Sequence, residues 1–490
     1  MQLSNLNRIG LFPLFLFICL FPHIVTAQNE KVDKLIRKEM QERRIPGLQV
    51  AVVKQGKIVF LKSYGIADIE QSTPVTNESI FSINSCTKPF IAVALMQLVV
   101  DGKVDLLSPV SKYLDSLPVA WQAVTIMQLL AGTSGIPGAG TQYVNENTGQ
   151  LIGISKTEYR AKALTMPMLF PPGERSGGTG GTAYDLVQKI IAKYEGKSFT
   201  EMCNERQQRP AGMRHTYSGD SRDIIPKRAE TYQYVKSLSE EIFPEERLVH
   251  RYEQLRDIRD GGSMYSTAED IANWIIALQQ NKILKNKEAL STLWTAAKLN
   301  NGKSIRTTIG GWDTNPDSKY KVVGMEGGGR SAYFIYPEFD LAVIVLTNLL
   351  GSSPHIYLYE DIAACYNQKI ASDPLVAFRI KLRERGYEHA IEIYQELKKR
   401  DTGFQIKESD LNGLGYWMLG GKPKKEALEI FKLNAFLYPE SANVYDSMAE
   451  AYEANGNREL AIKNYKKSLE LNPGNNNAIQ QLKKLDPNFK

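Results

Sequence analysis

The chain has 490 residues, enough for two or three domains that each bury a core. Its composition is that of an ordinary globular protein. Lys and Arg (60) only slightly outnumber Asp and Glu (54) and form no block of like charge, which excludes a charged tail and argues against nucleic-acid binding.

Residues 1–27 read as a signal peptide. Arg8 supplies the positive charge, Leu11 to Leu20 the apolar centre, and Val25-Thr26-Ala27 a small-residue exit before Gln28. No later run is long enough to span a bilayer, so the expectation is an exported, soluble chain, periplasmic or secreted, without a transmembrane segment after signal removal. Cleavage leaves Cys86, Cys203 and Cys365, an odd number that argues against a disulfide framework. The remaining histidines, His215, His250, His355 and His389, are not spaced like metal ligands, so no metal or cofactor is expected.

Residues 30–44 carry an amphipathic helical stripe of Val32, Leu35, Ile36 and Met40, stopped by Pro46-Gly47. Leu48–Val53 and Lys57–Leu61 flank Gln55-Gly56 as a β-hairpin, and residues 66–80 read as loop. Next comes Ser85-Cys86-Thr87-Lys88, followed by the nearly continuous apolar run Pro89 to Val100 and a Gly102 stop. Ser and Lys three apart lie on one helix face. An apolar helix behind them is buried on every side, and burial disfavours the charged amine. That is the chemistry an activated serine needs: a neighbour able to take the hydroxyl proton. A second Ser-x-x-Lys, Ser318 to Lys321, sits in the polar stretch Gly311–Asp317 with no buried helix behind it and reads as surface turn. Cys86 beside Ser85 could itself be a nucleophile, but a small buried residue is the preferred reading.

Val124–Leu130 predicts a helix, residues 138–182 a long polar loop region bordering the site, and Ala183–Tyr194 another helix. A further helix starts after Ser266 or Thr267 as N-cap. Val322 to Pro337 predicts two strands around a Gly-rich bend, and Leu341–Asn348 a third. Strands near both ends with helices between predict an α+β domain with an antiparallel sheet flanked by helices and an all-helical part. After about residue 371 helical periodicity takes over. Ala427 falls on Ala461, Phe431 on Tyr465 and Pro439 on Pro473 at a 34-residue offset, the tetratricopeptide period. This all-α repeat domain would either offer a groove to a protein partner or cap the preceding domain. The expected domains are therefore 28–370 and 371–490.

Residues 28–370 resemble the serine β-lactamase and penicillin-binding-protein superfamily, in particular its class C-like carboxypeptidases and esterases. The resemblance rests on Ser85 and Lys88, on Leu129-Leu130-Ala131-Gly132-Thr133-Ser134-Gly135-Ile136-Pro137, and on Gly261-Gly262-Ser263-Met264-Tyr265-Ser266-Thr267. It implies a β-lactamase/transpeptidase-like fold, an acyl-enzyme on Ser85 with Lys88 as base, and an oxyanion hole from the Ser85 and Gly329 N–H groups. Two elements depart from the family pattern. After Pro171-Pro172-Gly173-Glu174 the place of the family's Tyr motif is taken by Thr179-Gly180-Gly181, and Tyr184 falls in the following helix. The third motif reads Glu326-Gly327-Gly328, with Gly329 and Arg330 next, where relatives often carry a cation. Glu326 is expected to assist proton transfer or position substrate. Thr179, Gly180, Gly181, Gly327, Gly328 and Arg330 are expected to line the substrate, a small molecule or peptide. Two functions stand open: a serine hydrolase acting on an ester, amide or D-amino-peptide, and a degenerate binding protein whose repeats recruit a partner.

Overall fold

The computed structural model describes residues 12–138, 142–144, 151–153, 156–177, 180–219, 223–235, 247–250, 264–316, 318–352, 357–420, 424–486 and 489, with side chains from Gln28 onward except at 142–144, 151–153, 156, 157, 159 and 235. They form two compact units, Ile45–Tyr359 and a second made of Met1–Arg44 with Glu360–Lys490.

The first unit is built on a nine-stranded antiparallel sheet. Its strands are β1 (Gly47–Lys54), β2 (Lys57–Asp68), β3 (Thr73–Pro74), β4 (Ala296–Lys298), β5 (Ser304–Thr308), β6 (Asp313–Thr314), β7 (Val323–Gly327), β8 (Ser331–Tyr336) and β9 (Leu341–Thr347), in the order β4-β5-β6-β7-β8-β9-β1-β2-β3. β1 pairs with β9 (Val50 opposite Val345) and with β2 (Val50 opposite Lys62), so the two ends of the domain meet in mid-sheet. The β1–β2 turn has Gln55 and Gly56 at φ 51° and 67°, the positive values a tight hairpin requires. β1 is buried along almost its whole length. Its one interior polar side chain, Gln49, is fully bonded: Nε2 donates to Thr76 O (2.5 Å) and Ser79 O (2.9 Å), and Oε1 accepts from Ala268 N (2.9 Å).

The all-round apolar run after Lys88 forms helix α2 (Lys88–Val100), buried from Pro89 to Leu98 as predicted. Phe90 stacks on Trp274 at 3.9 Å, and Trp274 meets Tyr333 of β8 edge-on at 6.1 Å. Trp274 belongs to α4 (Ala268–Gln279), which starts on the Thr267 hydroxyl accepting from Asp270 N at 3.1 Å. Helix α3 (Gly181–Glu195) packs on α2. Residues 138–182, read as loop, contain a helix over Lys156–Thr165 and a short hairpin of 142–144 with 151–153. In the stretch read as loop before Ser85, β2 continues to Asp68 and pairs with β3.

In the second unit, α1 (Phe12–Arg43) packs Val32 and Ile36 fully buried. Glu39 is 1% exposed and pairs with Arg43 and with Arg383 of α5 (Pro374–Arg385), both at 2.9 Å. Asp361 pairs with Arg379 at 2.6 Å and with Arg383 at 3.3 Å. The Arg43 guanidinium lies 3.7 Å from the centre of the Trp417 ring. These contacts place the N-terminal helix with the C-terminal helices, and the compact units divide before Ile45 and after Tyr359. Helices α6 (Glu408–Leu419) and α7 (Lys424–Leu437) are followed by α8 (Ala442–Ala454) and α9 (Arg458–Leu471), each starting 34 residues after its counterpart, and then by α10 (Asn476–Leu485). The matched residues Ala427, Ala461, Phe431 and Tyr465 are all fully buried. The Gly415 backbone sits so close to Phe431 that a Cβ there would lie 2.6 Å from its ring.

Candidate active site

Ser85 lies in a single 3-10 turn, Asn84–Thr87, that runs directly into α2. The turn is held on two sides. Ile83 N donates to Met264 O (2.9 Å) and Met264 N to the Thr87 hydroxyl (3.1 Å). On the sheet side Cys86 Sγ donates to Met325 O (3.3 Å), and Ser331 Oγ donates to Ser82 O (2.9 Å). β7 presses so closely on the turn that a Cβ on Gly327 would lie 2.0 Å from Ile83 O and 3.2 Å from Cys86 N. Glycine at 327 is thus a packing requirement of the turn that carries Ser85. Asn84 adopts φ 45°, a left-handed conformation that Asn tolerates better than most residues.

Within this frame Lys88 Nζ donates to Ser85 Oγ at 2.9 Å, and both side chains are half-buried, reachable by a solute. Burial pushes the Lys88 amine below its ordinary value, against the pull of Asp313 and Glu326, which favour the charged form. Lys88 is therefore closer to its neutral, proton-accepting form than a surface lysine is. Cys86 is 1% exposed and its thiol is pushed well up by burial, with the Glu326 charge adding to the effect. It is an interior residue of the turn, not a competing nucleophile.

Asp313, in the polar stretch before the second Ser-x-x-Lys, was not among the expected site residues, yet its charge acts on Lys88. β6 pairs Asp313 opposite Gly324 of β7, where the Glu326 backbone N–H favours its ionised form. The residue is solvent-accessible, yet it sits in a recess crowded by protein atoms. That partial loss of water, reinforced by Glu326, pushes its carboxyl up to about 6, while the Glu326 N–H and Lys88 pull it down. The cue available in sequence was its position in a short run preceding the Gly-rich strand.

The remaining expected residues divide. Glu326 is half-buried on β7, and its Oε1 accepts the N–H of Gly329. The Gly329 amide expected in the oxyanion hole is thus engaged by a side chain of its own turn. Arg330, expected at the substrate, is 1% exposed and out of a substrate's reach. With the Asn84 amide oxygen turned toward it, its Nη2 and Nε donate to that oxygen at 2.7 and 3.1 Å, so it braces the Ser85 turn from within. Gly328 (φ 60°) is exposed, and a Cβ there would meet the Asn84 side chain at 2.5 Å. Gly180 is the N-cap of α3 and Gly181 its first residue. Thr179 and Gly261–Ser263 lie outside the described residues. Tyr184 is buried in α3, its hydroxyl 3.4 Å from Leu130 O, and burial raises its phenol far above the neutral range. It does not stand in for the motif tyrosine as a base. The Pro-Pro-Gly turn is docked on the segment after the short helix Ile126–Ala131: Gly173 N donates to Thr133 O (2.8 Å) and Gly177 N to Gly132 O (2.9 Å).

A family profile described as Beta-lactamase matches residues 32–364. Protein flp of Staphylococcus aureus (strain N315) is 26% identical over 342 residues, an alignment covering 66% of this chain and 64% of that protein. A penicillin-binding protein of Bacillus subtilis (strain 168) is 27% identical over 308 residues, covering 61% and 67%. The match to the staphylococcal relative thus spans less than two thirds of its length. Among solved structures, the octameric penicillin-binding protein homologue from Pyrococcus abyssi superposes with a TM-score of 0.61 at 27% identity, over 73% of this chain and 81% of that one. EstCE1, a hydrolase with promiscuous acyltransferase activity, superposes with a TM-score of 0.56 over 70% and 99%; at 19% identity this likeness concerns the fold alone.

Proposed function

The chain belongs to the Beta-lactamase family, and from that premise we propose that it is an exported serine hydrolase acting on an ester or amide through an acyl-enzyme on Ser85. The observation that carries the reading is the 2.9 Å hydrogen bond from Lys88 Nζ to Ser85 Oγ, with the amine half-buried behind the nucleophile. Neutral Lys88 takes the Ser85 proton as Oγ bonds to the carbonyl carbon. It then returns the proton to the leaving group as the carbonyl–leaving-group bond breaks, and water releases the acyl group in a second round. A positioned general base contributes about 10²–10⁴-fold. The backbone N–H groups of Ser85 and Gly329 are the proposed oxyanion donors, once the Gly329 amide is released from Glu326. Short esters and D-amino-peptides are the substrates to screen. Turnover should be lost in Ser85→Ala, and an acid-quenched reaction should show the acyl group on the wild-type mass only. Turnover retained by Ser85→Ala removes the proposal.

The occupied Gly329 amide also favours a second reading, a binding protein in which the domain holds a ligand without turning it over. The 34-residue helical pairs are proposed, in either case, as a tetratricopeptide-like platform for a protein partner. Ligand capture unchanged in Ser85→Ala, with no turnover in the wild type, would select this reading. Export is proposed from residues 1–27; among the described residues no helix is long and apolar enough to cross a membrane.

A further inference from the structure

Among the described residues, the acids that act on Lys88 oppose the sign of the chain's net charge. The whole sequence carries a formal net charge of +6, yet the carboxylates acting on Lys88 are those of Asp313, opposite Gly324 in the sheet, and Glu326, two residues further along β7. Each of them acts on Lys88, and Glu326 acts on Asp313 and on buried Cys86. Both acids are accessible to a solute. Among the described residues, the guanidinium next to them in sequence, Arg330, is turned inward onto Asn84 and is 1% exposed.

Glu326 also does something that a second acid at the rim does not. Its carboxylate accepts the Gly329 N–H across the turn Gly327–Arg330, in which Gly328 and Gly329 hold φ of 60° and 64°. A carboxylate on that amide competes with any carbonyl oxygen of a substrate. The competitor leaves most readily when it gains a better partner than a backbone N–H, and an ammonium or guanidinium is such a partner. A substrate carboxylate would instead meet two like charges.

We propose that Glu326, with Asp313 beside it, selects acyl substrates bearing a cationic group close to the scissile carbonyl, and that pairing with this cation draws the Glu326 carboxylate off the Gly329 N–H and frees it for the developing oxyanion. The inference rests on the hydrolase reading. Glu326 is in this account a specificity residue and a gate; Ser85 and Lys88 carry the bond making and breaking. The chemistry selected is that of an aminoacyl ester, a peptide with a free amino terminus, or a basic side chain next to the cleaved bond.

The test uses the full chain and three fluorophosphonates that differ only in the end of one short arm: ammonium, hydroxyl or carboxylate. The second-order rate of Ser85 modification is read by intact mass. The ammonium reagent should react about ten- to a hundredfold faster than the carboxylate reagent, the range expected for one charge-assisted contact, although the net charge of the chain favours the anion. Glu326→Gln should bring the three rates to within about threefold of one another. Glu326→Ala, which removes the competitor for the Gly329 amide, should speed the hydroxyl reagent while slowing the ammonium one. Equal rates in the wild type, or faster reaction of the carboxylate reagent, overturn the inference and leave the hydrolase reading standing. A fall of the hydroxyl reagent in Glu326→Ala would make Glu326 part of the proton-transfer machinery and overturn the gate. Failure of all three reagents to modify Ser85 in folded protein removes the hydrolase reading itself, and this inference with it.

Discussion

Two clusters of charged side chains are crowded by protein atoms in this molecule, with opposite consequences. In the helical unit Glu39, Asp361, Arg379 and Arg383 are each almost fully buried and answered by opposite charge at 2.6 to 3.3 Å. Burial alone would lower Arg379 and Arg383, but Asp361 and Glu360 around the first, and Glu39 and Asp361 around the second, more than offset it. At the Ser85 site the balance is incomplete. Lys88 is lowered because burial outweighs its acids, and Asp313 is raised because crowding and Glu326 outweigh its donors. One cluster holds its charges in their ordinary states and ties helices together. The other holds them away from those states, which is where acid–base chemistry becomes available.

The contrast can be broken at either cluster. The largest effect expected is on catalysis: Ser85→Ala should lower turnover by about 10³-fold or more and leave the thermal midpoint within a degree or two, since the hydroxyl supports no core contact. Glu39→Ala should do the reverse. It removes the carboxylate shared by Arg43 and Arg383, leaving Arg383 its longer pairs with Asp361 and Glu42, and breaking a buried pair costs about 3–5 kcal/mol. Urea unfolding should show that loss while Ser85 labelling at 25 °C stays unchanged; a neutral effect on stability would mean that the network contributes nothing. Gly327→Ala tests whether the strand sets the nucleophile. The Cβ cannot fit 2.0 Å from Ile83 O, so the turn must shift, and a displacement near 1 Å is worth about a hundredfold in rate.

The smallest effects are in pH dependence and sharpen the assignment of Asp313. Ser85 acylation should rise with pH as Lys88 loses its proton, with a midpoint below the ordinary lysine range. Asp313→Asn removes a charge that raises Lys88, so the midpoint should move to lower pH. Because the folded-state Asp313 carboxyl is raised to about 6, its contribution to stability is present at low pH and is lost as pH rises through about 6. Asp313→Asn should therefore melt higher than the wild type at pH 8 and match it near pH 4. Identical melting differences at both pH values would remove Asp313 from the site's electrostatics.

Much of the site was legible where one residue's neighbours along the chain decide its environment. The apolar run after Lys88 has no polar face, so its burial, and the partial burial of the amine at its mouth, follows from sequence. The Gly-rich strand was legible as glycine, but its reason lies in the approach of Ile83 and Cys86, which are some 240 residues away in the chain. Asp313 was hidden in a polar stretch, and only the β6–β7 pairing brings it to Lys88. Arg330 shows the converse: an arginine after three glycines reads as exposed, and its inward turn onto Asn84 depends on a left-handed residue that sequence does not announce. In the fold, the β1–β2 hairpin and the 34-residue spacing were visible as local pattern. The association of α1 with the C-terminal helices was not, because it is carried by Glu39 and Arg383, 344 positions apart.

The most direct measurement is the intact mass of the full chain after treatment with a simple fluorophosphonate, beside Ser85→Ala and Lys88→Ala. The account predicts one adduct on the wild type, none on Ser85→Ala, and labelling slowed by about 10²-fold or more in Lys88→Ala. An adduct that persists in Ser85→Ala, or none on folded wild-type protein, would contradict it.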